Sequence, residues 1–91
     1  MLITWDENKN QENIRKHKIS FTEAQTVFYD PVGKLIADPD HSTEEDRFII
    51  LGLSKILHLL VVCHCYKEND ETIRIIPARK ATKTESKHYG G

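Results

Sequence analysis

Ninety-one residues leave room for one domain, 1–91, and 30% charged beside 38% apolar residues supports one modest core rather than disorder. Thirteen Lys and Arg against fourteen Asp and Glu give a net charge of −1, which excludes a nucleic-acid binder that works through overall charge. The longest apolar run, Leu59 to Cys63, is too short to span a bilayer, and the first six residues lack the pattern of a signal peptide, so a cytoplasmic protein without membrane contact is expected.

Met1 to Trp5 reads as a short strand. Asp6 is a good N-cap for a polar helix over 7–17, whose last turn carries Arg15, Lys16 and His17 where cations suit the helix dipole. Ile14 is its one strongly apolar residue, so it should dock by a thin edge. Ser20-Phe21-Thr22-Glu23 has capping-box spacing, and Phe21, Ala24, Val27 and Phe28 follow at helical intervals until Asp30-Pro31 stops the helix. Lys34 to Ala37 reads as an edge strand. A polar connection follows, with Ser42 and Glu45 again at capping-box spacing and His41 as a loop organiser. Strands are then expected over 47–53, 57–67 and 72–76, the last two joined by a hairpin loop at 68–71. Thr82 and Glu85 predict a capped C-terminal helix that Gly90 ends. The pattern is α+β: a small antiparallel sheet of three to five strands, two N-terminal helices packed on one face, and a short C-terminal helix.

Alternation sorts the faces of the long strand. Leu57, Leu59, Val61, Cys63 and Cys65 form an apolar side, expected to lie under the second helix, with Ile73 and Ile75 beside it. The hairpin sets His64 near Ile75 and Arg74 near Cys65, with one residue of slack. A one-residue shift would put His64 beside Arg74 or Ile76, and His64, Tyr66 and Arg74 are expected to share the face the second helix leaves open. With Arg79 and Lys80 just past the strand end, they would form an anion site. Cys63 and Cys65 lie about 7 Å apart on one side of a strand, near the upper limit for a disulfide, and read as buried thiols. A Cys-His-Cys metal site would need a second ligand cluster on a loop, and His64 points to the opposite face, so a metal is rejected. Residues 61–91 carry six Lys and Arg against four Asp and Glu, so any polyanion site belongs to the C-terminal third.

An ordered set of residues spans nearly the whole chain: Trp5-Asp6, Lys9, Asn13, Lys16-His17, Ile19, Phe21, Ala24, Phe28, Asp30-Pro31, His41-Ser42, Glu45, Arg47, Gly52, His64, Arg74-Ile75-Ile76, Ala78-Arg79-Lys80-Ala81-Thr82, Glu85 and Tyr89. This set resembles the BrnT family. The resemblance implies a ribonuclease toxin of a type II toxin–antitoxin pair with a RelE-like fold. It also implies a BrnA-like ribbon-helix-helix antitoxin that sequesters the toxin and contacts operator DNA. The chain departs from the family pattern at Lys18, where Gly is usual, and at Pro77, where Ser is usual.

Cleaving RNA without a metal or cofactor requires removing the 2′-hydroxyl proton, protonating the leaving 5′-oxygen and stabilising the charge that builds on phosphorus. His64 is the candidate general base, and Arg74 and Arg79 are the candidate phosphate forks. Arg47 and Lys80 are next in line; Lys16 and His17 are candidates for a flanking phosphate, and Tyr66 for stacking a base. The expected activity is an endoribonuclease that inhibits translation. The alternative is a non-catalytic partner and co-repressor of a DNA-binding antitoxin.

Overall fold

The computed structural model describes residues 1–37, 47–67, 69 and 71–90. In chain order the elements are β1 (Leu2–Thr4), α1 (Glu7–His17), α2 (Phe21–Ala24) running into a 3₁₀ helix (Gln25–Tyr29), β2 (Lys34–Ala37), β3 (Arg47–Leu53), β4 (Leu59–Lys67), β5 (Thr72–Lys80) and α3 (Lys83–Ser86). The Ser42–Glu45 box and His41 lie outside the described residues.

The strands form one sheet in the order β1-β5-β4-β3-β2. The neighbours from β2 to β5 are antiparallel, as hairpin-linked strands must be, but β1 runs parallel to β5, with Leu2 opposite Thr72. The sheet is therefore mixed rather than antiparallel. The strand that precedes the helices has no hairpin partner and joins beside the last strand instead. β2 is the far edge, and Leu35 and Ile36 on it are 51% and 57% exposed.

Asp6 caps α1 by accepting from the amides of Asn8 and Lys9, and Lys18 ends the helix in the left-handed region at φ 61°. Polar side chains, rather than Ile14, dock this helix. The buried Asn13 amide donates to the carbonyls of Ile19 (2.8 Å) and Ala78 (2.7 Å) and accepts from the Ala78 N–H (3.0 Å). It thereby pairs the stretch of β5 that runs past the end of β1, doing for one residue what a neighbouring strand would do. Asn10 likewise accepts from the Phe21 N–H at 2.8 Å.

The second helix is a single α turn that tightens into 3₁₀ geometry. Ser20 caps it, but the Glu23 carboxylate does not close the box; it turns to the Ser54 hydroxyl and the His58 ring, both at 2.7 Å. Phe21, Ala24 and Val27 are fully buried against Ile50, Leu60, Val62, Ile75 and Ala78, and Trp5 meets Phe21 edge-on at the margin. Gly52 lets this helical segment approach β3, since a Cβ there would lie 3.1 Å from the Val27 side chain. Asp30 ends the segment. Its carboxylate accepts from the amides of Val32 and Leu53 and from the Tyr89 hydroxyl, and these bonds, the tyrosine's first, hold its pKa below the usual carboxylate range.

β4 begins at Leu59, two residues later than expected, because Leu57 closes a tight turn at φ 69°. β5 runs four residues further than expected, to Lys80, and it carries a bulge. Val62 faces Ala78 while His64 faces Ile75, so Ile76 and Pro77 together oppose Cys63. A bulge tolerates proline because the extra residue is not needed in the ladder.

Candidate functional site

The helices cover the face opposite to the one expected. Leu60, Val62 and His64 lie under them with no exposed surface, while Val61, Cys63 and Cys65 floor the open face. Both sides of β4 are apolar, so polarity alone could not orient it. His64 consequently sits in an aromatic cluster. Phe28 meets its ring edge-on at 4.8 Å and Tyr66 at 5.4 Å, with Phe48 alongside. Its Nδ1 donates to the Val62 carbonyl at 3.1 Å, and Nε2 has no hydrogen-bond partner among the described residues. Burial pushes its pKa below the ordinary histidine value. Tyr66 shares this side and packs on Phe48 at 5.2 Å. The expectation that His64 and Tyr66 share an open face with Arg74 is therefore corrected.

The open face gathers the arginines. Arg47, Cys65 and Arg74 stand in one row across β3, β4 and β5, and Leu51, Val61 and Arg79 in another. Arg74 and Arg79 are five residues apart, which in plain alternation would put them on opposite faces. The extra residue at Ile76-Pro77 changes the parity and brings both to the same side, and by the same device Ile75 and Ala78 both face the core. Pro77 lies in the bulge that makes this possible.

Two pockets of about 180 Å³ each share Arg47 and together form a groove along this face. One is lined by His17, Arg47, Cys63, Pro77 and Arg79, among others. The other is lined by Lys9, Arg47, Cys65, Lys67, Arg74 and Ile76. α1 runs along the β5 edge, so Lys9 near its start and His17 at its end both reach the groove. Cys63 and Cys65 are buried thiols, 9% and 4% exposed, beneath the cations. Arg79 is held by Glu85 of α3 through two bonds at 2.7 and 2.8 Å. Those bonds, with a further one from the Thr82 N–H, hold the Glu85 pKa at about 2.

Of the expected site residues, the groove unites Arg47, Arg74, Arg79 and His17. Lys16 is exposed beside Glu12 at 4.0 Å and does not line it. Lys80 is opposite Leu60, on the other side of the sheet from Arg79. Lys9 and Lys67 were missed as groove residues. Lys67 was within reach, since it shares the parity of Cys63 and Cys65; Lys9 needed the docking position of α1.

A mixed five-stranded sheet with the helical segment 21–29 on one face, and arginines, lysines and the Arg79–Glu85 contact with α3 on the other, defines a small α+β protein with a groove lined by cations. The family model described as ribonuclease toxin, BrnT, of type II toxin–antitoxin system matches residues 5–85. The chain belongs to this BrnT family of ribonuclease toxins, and membership implies an antitoxin partner. It is similar to the crystal structure of the Brucella abortus ribonuclease toxin BrnT, with a TM-score of 0.71 and 26% identity over 91% of this chain and 99% of that one. A search of curated proteins returned no significant match. No helix among the described residues is long and apolar enough to cross a membrane.

Proposed function

We propose that the groove on the open face is the RNA site of a metal-independent endoribonuclease, a single cytoplasmic domain that inhibits translation when free of its antitoxin. Arg74 and Arg79 hold the scissile phosphate and take up the charge that develops on it, and Arg47 with Lys9 and Lys67 tracks the neighbouring phosphates. His17 is the imidazole that lines the groove among the described residues, and it takes the proton from the 2′-hydroxyl; His64 packs the core beneath the opposite face. The observation that carries this reading is the gathering of Arg47, Arg74, Arg79 and His17 along one groove, with Arg74 and Arg79 brought to the same face by a bulge that overrides strand alternation. The antitoxin is a BrnA-like ribbon-helix-helix protein through which the toxin reaches operator DNA, and the fold is related to the RelE toxins.

The test is cleavage of an end-labelled RNA in excess EDTA by the purified protein and by Arg74→Ala, Arg79→Ala and His17→Ala. The expected result is cleavage in EDTA that falls on the order of 100-fold or more in each variant, the usual scale for losing a transition-state contact or a proton acceptor. Undiminished cleavage in all three variants would remove the site from this face. No cleavage by any folded form, with growth arrest also absent, would favour the non-catalytic co-repressor.

A further inference from the structure

Arg79 carries five N–H donors in one plane. Nη1 and Nη2 donate to Oε1 and Oε2 of Glu85 across the end of the fork, and Nη1 donates again to the Lys80 carbonyl at 3.3 Å. The end and one flank of the guanidinium are therefore occupied. The other flank, Nε–H with the outer Nη2–H, has no partner among the described residues. It presents two parallel donors, the geometry that grips two oxygens of a phosphate. Glu85 lines a trough of about 430 Å³ with Lys34, Ile36 and His88, among others, and this trough shares Ile49 and Val61 with the end of the groove that Arg79 lines.

Glu85 is itself held in place. It is the third residue of α3 and closes a full capping box, its amide donating to the Thr82 hydroxyl at 3.1 Å and its carboxylate accepting from the Thr82 N–H at 2.8 Å. We infer that Glu85 is a positioning residue for Arg79: it fixes the plane of the guanidinium so that the Nε/Nη2 edge faces the groove as a ready-made fork for the scissile phosphate. This rests on the groove being the RNA site. A flexible arginine must be ordered at each turnover, whereas one already oriented is not, so the effect belongs in the chemical step.

Glu85→Gln separates this from a structural role. Gln serves as well as Glu at the third position of a capping box, so α3 persists, but the amide offers the guanidinium one acceptor and one donor in place of two acceptors. The expected result is a thermal midpoint near that of the parent, a fall in kcat of about 10-fold with KM little changed, and partial recovery in Glu85→Asp. Arg79→Ala supplies the reference. In that background adding Glu85→Gln should cost nothing further, because Glu85 acts only through Arg79. Tyr89→Phe, which releases the chain after α3 from Asp30 without touching either residue, should leave kcat unchanged. Parent-level kcat in Glu85→Gln, a rise in kcat, or an equal loss with and without Arg79 would each overturn the inference. Full activity in Arg79→Ala would instead overturn the RNA-site reading on which it stands.

Discussion

His64 is the residue whose chemistry and location disagree most. Its ring has no exposed surface and packs with Phe28, Phe48 and Tyr66; one nitrogen is spent on the Val62 carbonyl, and the other has no hydrogen-bond partner among the described residues. Because burial lowers its pKa from the ordinary 6.5, the unfolded chain takes up a proton that the folded chain refuses. That stability is fully present above pH 6.5 and is lost as the pH falls below it. Urea midpoints should decline below pH 6.5 in the parent and decline less in His64→Phe, which fills the same space without a titrating group. His64→Phe should also retain RNA cleavage if the groove is the site, whereas an inactive but folded His64→Phe would return catalysis to the helix-covered face. The sequence could present a histidine on a strand but could not show which side was buried. Leu59, Val61 and Cys63 looked as much like a core face as Leu60 and Val62, and the choice between them was made by the helices. The arginines were legible as phosphate ligands from their chemistry; their meeting on one face was not.

At the scale of elements, the strands and caps were readable because each has a local cause. Asp6, Ser20 and Thr82 cap helices where their spacing predicts, and the hairpin register that pairs His64 with Ile75 follows from its loop. The bulge has no comparable local signal, since Pro77 read equally well as the end of a strand, and that single extra residue decides on which face Arg79 lies. The docking of α1 was also hidden, because a helix with one strong apolar residue gives no hydrophobic stripe. Asn13 supplies the attachment, and Asn13→Ala strands both the N–H and the carbonyl of Ala78 in a buried setting. A loss of about 2–4 kcal/mol is expected from chemical denaturation. Lys18 sits at φ 61°, a conformation that suits glycine. Lys18→Gly should therefore stabilise the protein by about 1 kcal/mol, read as an upward shift in Tm with cleavage unchanged.

For the molecule as a whole, a net charge of −1 conceals a strongly uneven distribution, with Lys9, Arg47, Lys67, Arg74 and Arg79 along one groove. If RNA engages about four of these cations, its association constant should fall with added salt at a log–log slope near −3. A titration of a non-cleavable RNA between low and moderate salt measures it, and a flat response would mean that the groove is not where RNA binds. The parallel pairing of β1 with β5 has a consequence for how this toxin comes into being. The Leu2 N–H donates to the Glu71 carbonyl and Leu2 is aligned with Thr72, so β1 has nothing to pair with until β5 has been made. Contacts closed over so long a stretch form late in folding. A chain released before β5 would lack Arg74 and Arg79 and also the strand on which β1 and Asn13 dock. An interrupted round of synthesis therefore leaves β2, β3 and β4 able to pair but without the groove's two β5 arginines and without the strand that seats the first strand and helix.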